Sequence, residues 1–520
     1  MATGQPHPDS HARIDHAISK WTLRSLLDSA NIEVNADLSA PVSTTRINRL
    51  TVDSRDADSG SCFVALTGTK TDGHRYVSQA LDAGAVVIVE SGQRDVRNER
   101  VIEVADTHDA IARLAATFFG IDRLQRDGKL KLIGVTGTNG KTTVVSLITS
   151  ILRAAKYPAS SLGTIGLDVT GNSTDVISGM TTPPPIELCA TLADAARAGA
   201  CYVAMEVSSH ALDQRRCGGL RFDVGVFTNL TQDHLDYHGD MKEYARAKRR
   251  LFDALAADAF AVINADDPFA SSMTVECDAS VIAFSNECVS ADVFASKVRL
   301  GANGTTFDLY IDGTMSSVNS ALIGTHNVSN MLAAVATAHA LGIDCESICK
   351  GIASIACVPG RLERVECSAP CEVFVDYAHT PDALENVLRV VRDVTEGRLI
   401  CVFGCGGDRD KTKRVPMGKA VATLADIGIL TSDNPRHEDP NAIIDDVIVG
   451  FNGSGACQRI VQIDRRAAIY EAITRAEKDD TVLIAGKGHE DYQIIGDERL
   501  SFDDRLVAIA AAKNAIEVTA

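Results

Sequence analysis

Short apolar runs alternate with amphipathic stretches along most of the chain. Runs of strand length occur at residues 61–66, 84–90, 202–207, 224–228 and 260–264, and stretches with a helical pattern alternate with them. This alternation is typical of α/β proteins whose sheets are mainly parallel. The pattern therefore predicts an α/β fold.

The alternation divides into three blocks, which we predict to be three domains. Residues 1–125 form a small α/β domain behind an irregular N-terminal tail. Residues 126–359 open with a buried strand at 129–135, a glycine-rich turn and a helix at about 141–155. Residues 360–520 are Rossmann-like but lack the G-x-G-x-x-G fingerprint. The strands of this third block are expected at 373–377, 399–404, 427–431, 459–463 and 481–485.

Part of the second block has a different pattern. Apolar and polar residues alternate between 297 and 322, and turn signals occur at 301–304 and 312–313. Alternation interrupted by such turns predicts antiparallel hairpins. We therefore expect this block to be mixed.

The composition is that of a globular protein that can bury large cores. Apolar residues make up 45% and charged residues 23% of the 520 residues, a length that predicts about two to four domains. No apolar run approaches the roughly 18 residues that span a bilayer, and residues 1–19 are polar. The sequence therefore predicts neither a membrane segment nor an export signal, and we expect a cytoplasmic protein.

The net charge of −18 limits the classes of partner. Non-specific binding to nucleic acid requires a basic stripe that displaces counterions, and an acidic chain does not favour one. Any phosphate-binding site is therefore expected to be local.

The 14 cysteines are spread widely through the chain. The nearest pairs are four residues apart, as at Cys401 and Cys405, and no spacing typical of a zinc site occurs. We predict reduced, mostly buried thiols and no structural metal.

A glycine-rich segment, GVTGTNGKTT at residues 134–143, follows the strand that opens the second block and precedes a helix. In this context backbone N–H groups and a helix N-terminus bind phosphates. Lys141 would neutralise the β- and γ-phosphates, and the hydroxyl of Thr142 would bind Mg²⁺. The segment departs from the usual phosphate-loop pattern, which requires glycine where this chain has Val135.

The variant loop resembles that of the Mur ligases and the related folylpolyglutamate synthases. The resemblance covers about residues 50–510, because further segments follow in the family's order: MEVSSH at 205–210, NLTQDHLDYHG at 229–239, HNVSN at 326–330, GR at 360–361, DYAH at 376–379 and GKGHE at 486–490. It implies an N-terminal domain for the UDP-linked substrate, a central phosphate-loop domain for ATP, and a C-terminal Rossmann-like domain for the amino acid.

The resemblance also implies the reaction. ATP would phosphorylate the carboxylate of UDP-N-acetylmuramoyl-L-Ala-D-Glu, and the amine of a diamino acid would displace phosphate from the acyl phosphate in peptidoglycan precursor synthesis. Both steps gather negative charge, which nearby cations stabilise. ATP and Mg²⁺ are the implied cofactors, and the enzyme is expected to be a monomer.

The resemblance assigns roles in catalysis or metal binding to five residues. Lys141 and Thr142 would act on the phosphates and Mg²⁺, Glu206 would be a Mg²⁺ carboxylate, and His234 would bind a second Mg²⁺. In Mur ligases the lysine that matches Lys248 carries a carbamate, which would supply an oxygen ligand beside that metal.

The resemblance also implies two sets of binding residues. ATP would contact Gly137, Thr138, Asn139, Gly140, Lys141, Thr142, Thr143, Asn330, Arg361 and Asp376. The UDP-linked substrate would contact Val52, Ser54, Thr69, Lys70, Thr71, Thr181, Thr182, Ser208, Gln214 and Arg216.

The acceptor amino acid is predicted to be meso-diaminopimelate. Arg436 and Arg409 can hold its additional carboxylate, since a guanidinium is suited to bidentate binding. The other residues predicted to bind it are Asp433, Asn434, Pro435, Gly486 and Glu490.

Four alternatives remain open. The acceptor could be L-lysine or another diamino acid, or the chain could be a folylpolyglutamate synthase, which should lack the first-domain uridine region and the 433–436 segment. A phosphate-loop NTPase that drives movement or signalling would turn over ATP without any UDP-peptide. A nucleotide-binding module without activity would not require Glu206, His234 and Lys248 together.

Overall fold

The computed structural model describes residues 21–34, 38–68, 71–93, 98–169, 172–174, 180–301, 304–452 and 457–519. It contains a four-stranded, an eleven-stranded and a six-stranded sheet in chain order, and a two-stranded ribbon near the C-terminal end. The mixed α/β fold predicted from the sequence is confirmed.

The first sheet is parallel, in the order β1-β2-β3-β4. Its inner strands β2 and β3 are buried on both faces, as expected for a parallel sheet, whereas β4 exposes Glu103. The elements are α1 (Leu23–Ser29), α2 (Ala40–Ser43), β1 (Arg49–Thr51), β2 (Ser61–Val64), α3 (Val77–Asp82), β3 (Val86–Glu90), β4 (Val101–Val104), α4 (Thr107–Phe118) and α5 (Ile121–Arg126).

The middle sheet has the order β15-β14-β13-β12-β11-β10-β5-β9-β6-β7-β8. Its central strands are parallel, and antiparallel strands lie at both edges. The strands are β5 (Lys131–Thr136), β6 (Ala159–Gly163), β7 (Gly166–Val169), β8 (Asn172–Thr174), β9 (Tyr202–Glu206), β10 (Val224–Phe227), β11 (Phe260–Asn264), β12 (Ser280–Ser285), β13 (Val293–Gly301), β14 (Gly304–Ile311) and β15 (Thr314–Ser320).

Helices cover the faces of this sheet. They are α6 (Lys141–Ala154), α7 (Pro185–Arg197), α8 (Ser209–Asp213), α9 (Leu235–His238), α10 (Met241–Asp253), α11 (Ala270–Met273), α12 (Thr325–Ala340) and α13 (Cys345–Ala353). Strand β5 lies between β9 and β10, so the carboxyl ends of the three strands meet at one edge. Ligands of open α/β sheets bind at such an edge.

The third sheet has the order β16-β17-β21-β18-β19-β20, in which only the β16–β17 pair is antiparallel. Its elements are β16 (Glu363–Arg364), β17 (Glu372–Asp376), α14 (Pro381–Val394), β18 (Leu399–Phe403), α15 (Arg414–Leu424), β19 (Ile427–Leu430), α16 (Pro440–Ile448), β20 (Gln458–Val461), α17 (Arg465–Arg475), β21 (Thr481–Ala485) and α18 (Asp504–Thr519). The ribbon β22 (Tyr492–Ile495) and β23 (Glu498–Ser501) precedes α18.

The long apolar strands and the hairpins lie where the sequence predicts them. The hairpins β13–β14–β15 cover the alternating segment, and Asp312 and Gly313 form the second turn with positive φ angles. The sequence analysis missed β4, β6 to β8, β12, β16 and the final ribbon. Most of these strands have four residues or fewer, and the longer strands β6 and β12 contain serines that weaken the apolar pattern.

The prediction of mostly buried thiols is wrong. All 14 cysteines are free, but only Cys62, Cys189, Cys217, Cys401 and Cys405 are buried, and Cys201 is exposed because it precedes β9 at the surface. Within the described ranges, no helix combines the length and apolar character needed to cross a bilayer.

Candidate active site

The glycine-rich loop joins the end of β5 to the start of α6. Gly137 has a φ of +150°, and a Cβ at this position would clash with Thr228 Oγ1. Gly140 has a φ of +86° and lies against Asn330 of α12, which also excludes a side chain. The free N–H groups of the first turn of α6 can bind an anion. The local structure is therefore that of a phosphate-binding loop.

Two lysines meet at one carbonyl of this loop. Lys141 Nζ donates to Gly137 O and to Thr138 O, both at 2.9 Å. Lys248 Nζ, on α10, donates to Gly137 O at 2.8 Å and is buried. Burial lowers the pKa of Lys248 well below its usual value, and the neighbouring Lys141 cation lowers it further. The pKa of Lys141 is lowered by burial, although Glu206 and Asp233 oppose the shift.

Glu206, the last residue of β9, is buried and faces the start of α6. Its Oε1 accepts hydrogen bonds from Thr142 Oγ1 at 3.0 Å and from Thr164 N at 2.8 Å. Thr164 Oγ1 donates to Oε2 at 3.2 Å. The Thr142 hydroxyl in turn accepts from Arg361 Nη2 at 3.1 Å. A carboxylate, two hydroxyls and a guanidinium are therefore connected at the helix N-terminus.

His234 lies at the opposite side of the loop, next to a group of aromatic rings. Its Nε2 is 3.4 Å from Asp233 Oδ2, and its ring meets His210 edge to face with centroids 4.8 Å apart. Burial lowers the pKa of His234, and that of His210 falls to about 4 from the same cause. Tyr244 lies between the two proposed metal-site residues, 4.4 Å from Lys248 Nζ and 6.2 Å from the His234 ring.

A cavity of about 360 Å³ lies between the middle and C-terminal sheets. The residues predicted to bind ATP that line it are Thr138, Asn139, Gly140, Lys141, Thr142, Thr143, Asn330, Arg361 and Asp376, and Glu206 and His234 line it as well. Gly137 belongs to the loop but does not line the cavity. Its carbonyl oxygen accepts hydrogen bonds from the two lysines.

Asp376 ends β17 at the C-terminal wall of this cavity. Its carboxylate accepts from Leu362 N and Ala378 N, both at 2.7 Å. Burial raises the pKa of this carboxyl group, although Arg361 and the two backbone donors oppose the shift. The hydrogen bonds fix the carboxylate beside Arg361.

Five residues predicted to bind the UDP-linked substrate adjoin Glu206. Thr182 Oγ1 donates to Glu206 O at 3.0 Å, and Ser208 N donates to Thr182 Oγ1 at 3.0 Å. Arg216 Nη1 donates to Thr182 O at 2.7 Å, and its Nη2 donates to Gln214 Oε1 at 2.7 Å. The fifth residue, Thr181, has its hydroxyl 3.0 Å from Thr164 Oγ1.

Val52, Ser54 and Thr71, which are also predicted to bind this substrate, lie in segments that connect the strands of the first sheet. Val52 is exposed after β1, and the buried Ser54 donates its hydroxyl to Gln79 Oε1 at 2.9 Å. Thr71 is exposed, and Thr69 and Lys70 lie outside the described residues. Their contact with the substrate stays a prediction.

The residues predicted to bind the acceptor come together around the end of β19. Asn434 Nδ2 donates to Glu490 Oε2 at 3.0 Å, and Arg436 Nη1 donates to Gly407 O at 2.8 Å. Arg436 has a φ of +52°. The other members lie close by: Asp433 beside Gly486, Pro435 against Gly407, and Arg409, which is exposed, beside Gly406.

The sequence analysis missed three residues that the structure places in this region. Thr164 binds Glu206, and Asp382 Oδ2 accepts from Asn139 Nδ2 at 3.0 Å and from Thr231 Oγ1 at 2.9 Å. Lys487 binds Glu490 and Asn434. Lys487 lies inside the GKGHE segment and could have been selected there, whereas nothing in the sequence around Thr164 or Asp382 marks them.

Comparison with protein-family models matches three consecutive segments of the chain. They are described as "Mur ligase family, catalytic domain" at residues 46–119, "Mur ligase middle domain" at 135–338 and "Mur ligase, glutamate ligase domain" at 360–488. The three segments correspond to the three sheets.

A curated protein of Solibacter usitatus (strain Ellin6076) is 42% identical to this chain over 482 residues. The match covers 92% of this chain and 96% of that protein, which is named UDP-N-acetylmuramoyl-L-alanyl-D-glutamate--2,6-diaminopimelate ligase. A solved structure of a ligase of the same name is similar with a TM-score of 0.67 and 34% identity, covering 96% of this chain and 99% of the other.

A solved MurF ligase from Thermotoga maritima, in complex with ADP, has the same fold with a TM-score of 0.61 and 20% identity, covering 92% of this chain and 99% of the other. Members of the family therefore bind adenine nucleotide. The three family segments and the relative at 42% identity extend over almost the entire chain. The chain belongs to the Mur ligase family.

Proposed function

We propose that the chain is an ATP-dependent ligase that joins meso-diaminopimelate to UDP-N-acetylmuramoyl-L-alanyl-D-glutamate in peptidoglycan precursor synthesis. The D-Glu carboxylate attacks the γ-phosphorus of ATP and releases ADP, and the acceptor amine then attacks the acyl phosphate and releases phosphate. The names of the relatives and the arrangement of the site both support this function.

One observation carries the proposal. Arg361, at the start of the third predicted domain, binds Thr142 of the nucleotide loop, and Thr142 binds Glu206. The glycine-rich loop, the end of β9 and the start of the third predicted domain are thereby joined across one cavity. Thr182 and Arg216 lie beside it. A phosphate donor and a carboxylate substrate bound in this way would lie next to each other, as phosphoryl transfer requires.

The oxygen atoms of Thr142 and Glu206 are suitable ligands for Mg²⁺. Mg²⁺ prefers oxygen ligands, and the Thr142 hydroxyl and the Glu206 carboxylate lie within 3.0 Å of each other. Among the residues that the structure describes, no group of three or more His, Cys, Asp or Glu side chains could hold a metal, so substrate phosphates and water would complete the site. A bound Mg²⁺ would offset the charge of the transferring phosphate.

We propose that Lys248 carries a carbamate and that it holds a second Mg²⁺ with His234. Two ammonium groups at a single carbonyl repel each other, and Lys248 Nζ and Lys141 Nζ both bind Gly137 O. A neutral amine is the form that adds CO₂, with loss of one proton, and the lowered pKa of Lys248 favours that form. The product would replace a cation with oxygen ligands beside His234.

We also propose that the domain boundaries lie at 125/126 and 359/360. We propose a cytoplasmic location as well, because ATP and nucleotide-linked sugars are available there. The alternative acceptors, L-lysine or another diamino acid, lack support from the names of the curated relatives. A folylpolyglutamate synthase is not favoured for the same reason.

The test compares acceptors. Phosphate release from ATP would be measured with UDP-N-acetylmuramoyl-L-Ala-D-Glu and either meso-diaminopimelate or L-lysine, in the wild type and in Arg436→Ala. With lysine bound, Arg436 would lose its carboxylate partner, so we expect kcat/KM to favour diaminopimelate by about 10³-fold.

Arg436→Ala should lose most of its activity with diaminopimelate and should discriminate less between the two acceptors. Equal use of both acceptors by the wild type would contradict the assignment of the acceptor. Absence of UDP-peptide-dependent phosphate release with every amino acid tested would contradict the reaction itself.

A further inference from the structure

Lys487 is a fully buried cation behind the proposed acceptor site. It follows Gly486, directly after β21, and its Nζ donates to Glu490 Oε2 at 3.0 Å and to Asn434 Oδ1 at 3.2 Å. The ammonium group also lies 5.3 Å from the centroid of the Tyr492 ring. A buried ammonium is costly unless it is paired, and these three contacts provide the pairing.

The contacts of Lys487 determine the orientation of the Asn434 amide. Asn434 Oδ1 accepts from Lys487 Nζ and from Ile494 N at 2.9 Å, so the oxygen must face these two donors. The amide nitrogen then faces Glu490, where Nδ2 donates to Oε2 at 3.0 Å. Rotation of the amide by 180° would place its NH₂ group against two donors.

The same contacts determine which oxygen of Glu490 is available. Oε2 accepts from both Lys487 Nζ and Asn434 Nδ2. Among the residues that the structure describes, none donates a hydrogen bond to Oε1, and Glu490 remains partly exposed. One carboxylate oxygen is therefore held by the protein, and the other can accept from a ligand.

We propose that Lys487 is a positioning residue for acceptor specificity: it fixes Asn434 and Glu490 so that Glu490 Oε1 accepts a hydrogen bond from an ammonium group of the diamino acid. This inference rests on the proposed function and names a residue that acts through Glu490. The carboxylate of the acceptor would face Arg436, on the same loop as Asn434. The fixed spacing of an anion and a cation would select a ligand that carries both charges.

The test is steady-state kinetics of the complete chain with Mg-ATP and the UDP-peptide. Lys487→Met removes the charge and keeps a side chain of similar length, and Lys487→Gln keeps a donor. Lys478→Met is the matched control, because Lys478 is an exposed lysine of the same region.

We expect Lys487→Met to raise the KM for diaminopimelate by about 10- to 100-fold, the range that corresponds to the loss of charged hydrogen bonds. The KM for ATP should stay unchanged, Lys487→Gln should have a smaller effect, and Lys478→Met should behave as the wild type. Combination with Glu490→Gln should add little, since both substitutions disrupt one contact. An unchanged acceptor KM, or equal rises in both KM values, would overturn the proposal.

The stabilisation of each variant by Mg-ATP, measured by thermal unfolding, shows whether the variant is folded. If both Lys487 variants fail to fold, a structure of the wild type with diaminopimelate decides. The proposal requires Lys487 Nζ on Glu490 Oε2 and an acceptor ammonium on Oε1, and an acceptor without that contact overturns it.

Failure of the proposed acceptor and failure of the role of Lys487 give different experimental results. A wild type that does not use diaminopimelate contradicts the proposed acceptor, and Lys487 is then tested with the amino acid that the enzyme uses. A wild type that uses diaminopimelate while Lys487→Met keeps its normal acceptor KM contradicts only the role of Lys487.

Discussion

At the scale of single residues, the two lysines that share the carbonyl of Gly137 lie in different surroundings. Lys141 begins α6 and lines the cavity, whereas Lys248 is buried beneath the loop, against Tyr244. The position that lines the cavity suits a cation that meets the phosphates of a ligand, and the fully buried position suits the modification proposed for Lys248.

Lys141→Ala is expected to abolish ligation while the protein remains folded. The substitution removes a cation from the position of the transferring phosphate, a loss of several kcal/mol, about 10²-fold or more in kcat. Phosphate release and circular dichroism would be measured together. A folded variant with normal ligation would contradict the assignment of the phosphate loop.

Lys248→Ala is expected to be nearly inactive and to recover partly when formate or acetate is added. A small carboxylate can enter the space left by the side chain and supply the oxygen ligands of the lost carbamate. Activity would be measured against carboxylate concentration, with chloride at equal ionic strength as the control. Rescue by chloride would argue against the carbamate. So would mass spectrometry and electron density that both show an unmodified Lys248 amine in active enzyme with Mg-ATP bound.

At the scale of secondary structure elements, α8 and α9 bring the rings of His210, Tyr237 and His238 together, and His234 directly precedes α9. The rings of His234, Tyr237 and His238 lie 4.2 to 5.5 Å from that of His210. Burial among these rings, together with the neighbouring histidines, lowers the pKa of His210 to about 4. The packing of α8 against α9 therefore favours a neutral imidazole at position 210.

We expect this cluster to lose stability in acid. His210 binds a proton near pH 6.5 in the unfolded chain but only near pH 4 in the folded one, so its contribution is present above pH 6.5 and is lost as the pH falls towards 4. The melting temperature would be compared at pH 7 and pH 5 in the wild type and in His210→Phe. The variant should lose less on acidification, and an equal loss in both proteins would contradict the prediction.

At the scale of the whole molecule, Asp382 joins the C-terminal region to the tip of the nucleotide loop. It lies in the first turn of α14 and accepts hydrogen bonds from Asn139 and Thr231, which belong to the middle region. The Arg361–Thr142 contact closes the other side of the same cavity. Packing of the C-terminal region therefore completes the cavity that we propose to bind ATP.

Asp382→Ala is expected to raise the KM for ATP by about 5- to 30-fold, since two hydrogen bonds to a charged group are lost at a partly exposed site. Asp382→Asn keeps an acceptor oxygen and should have a smaller effect. Glu385→Ala, on the same helix, is the control, because Glu385 pairs with Arg389 of α14 itself. If Asp382→Ala and Glu385→Ala have the same KM for ATP, the interdomain contact has no role in binding.

Features that depend on local pattern, or on chemistry carried by consecutive residues, could be predicted before the structure was known. The long buried strands such as β5, β11 and β21, the α6 helix and the β13–β15 hairpins follow from apolar spacing and turn residues. The loop at 134–143 and the GKGHE segment could be assigned chemistry because their residues act together within one short stretch.

The contacts between residues that are distant in the sequence became known from the three-dimensional fold. The contact of Asn139 with Asp382 spans 243 residues, that of Thr142 with Arg361 spans 219, and that of Lys487 with Asn434 spans 53. Such contacts depend on strand order and on how the sheets pack, which periodicity does not encode. Lys248 shows the difference most clearly: its sequence surroundings are those of a basic helix face, and its burial beside Lys141 arises because α10 packs under the loop.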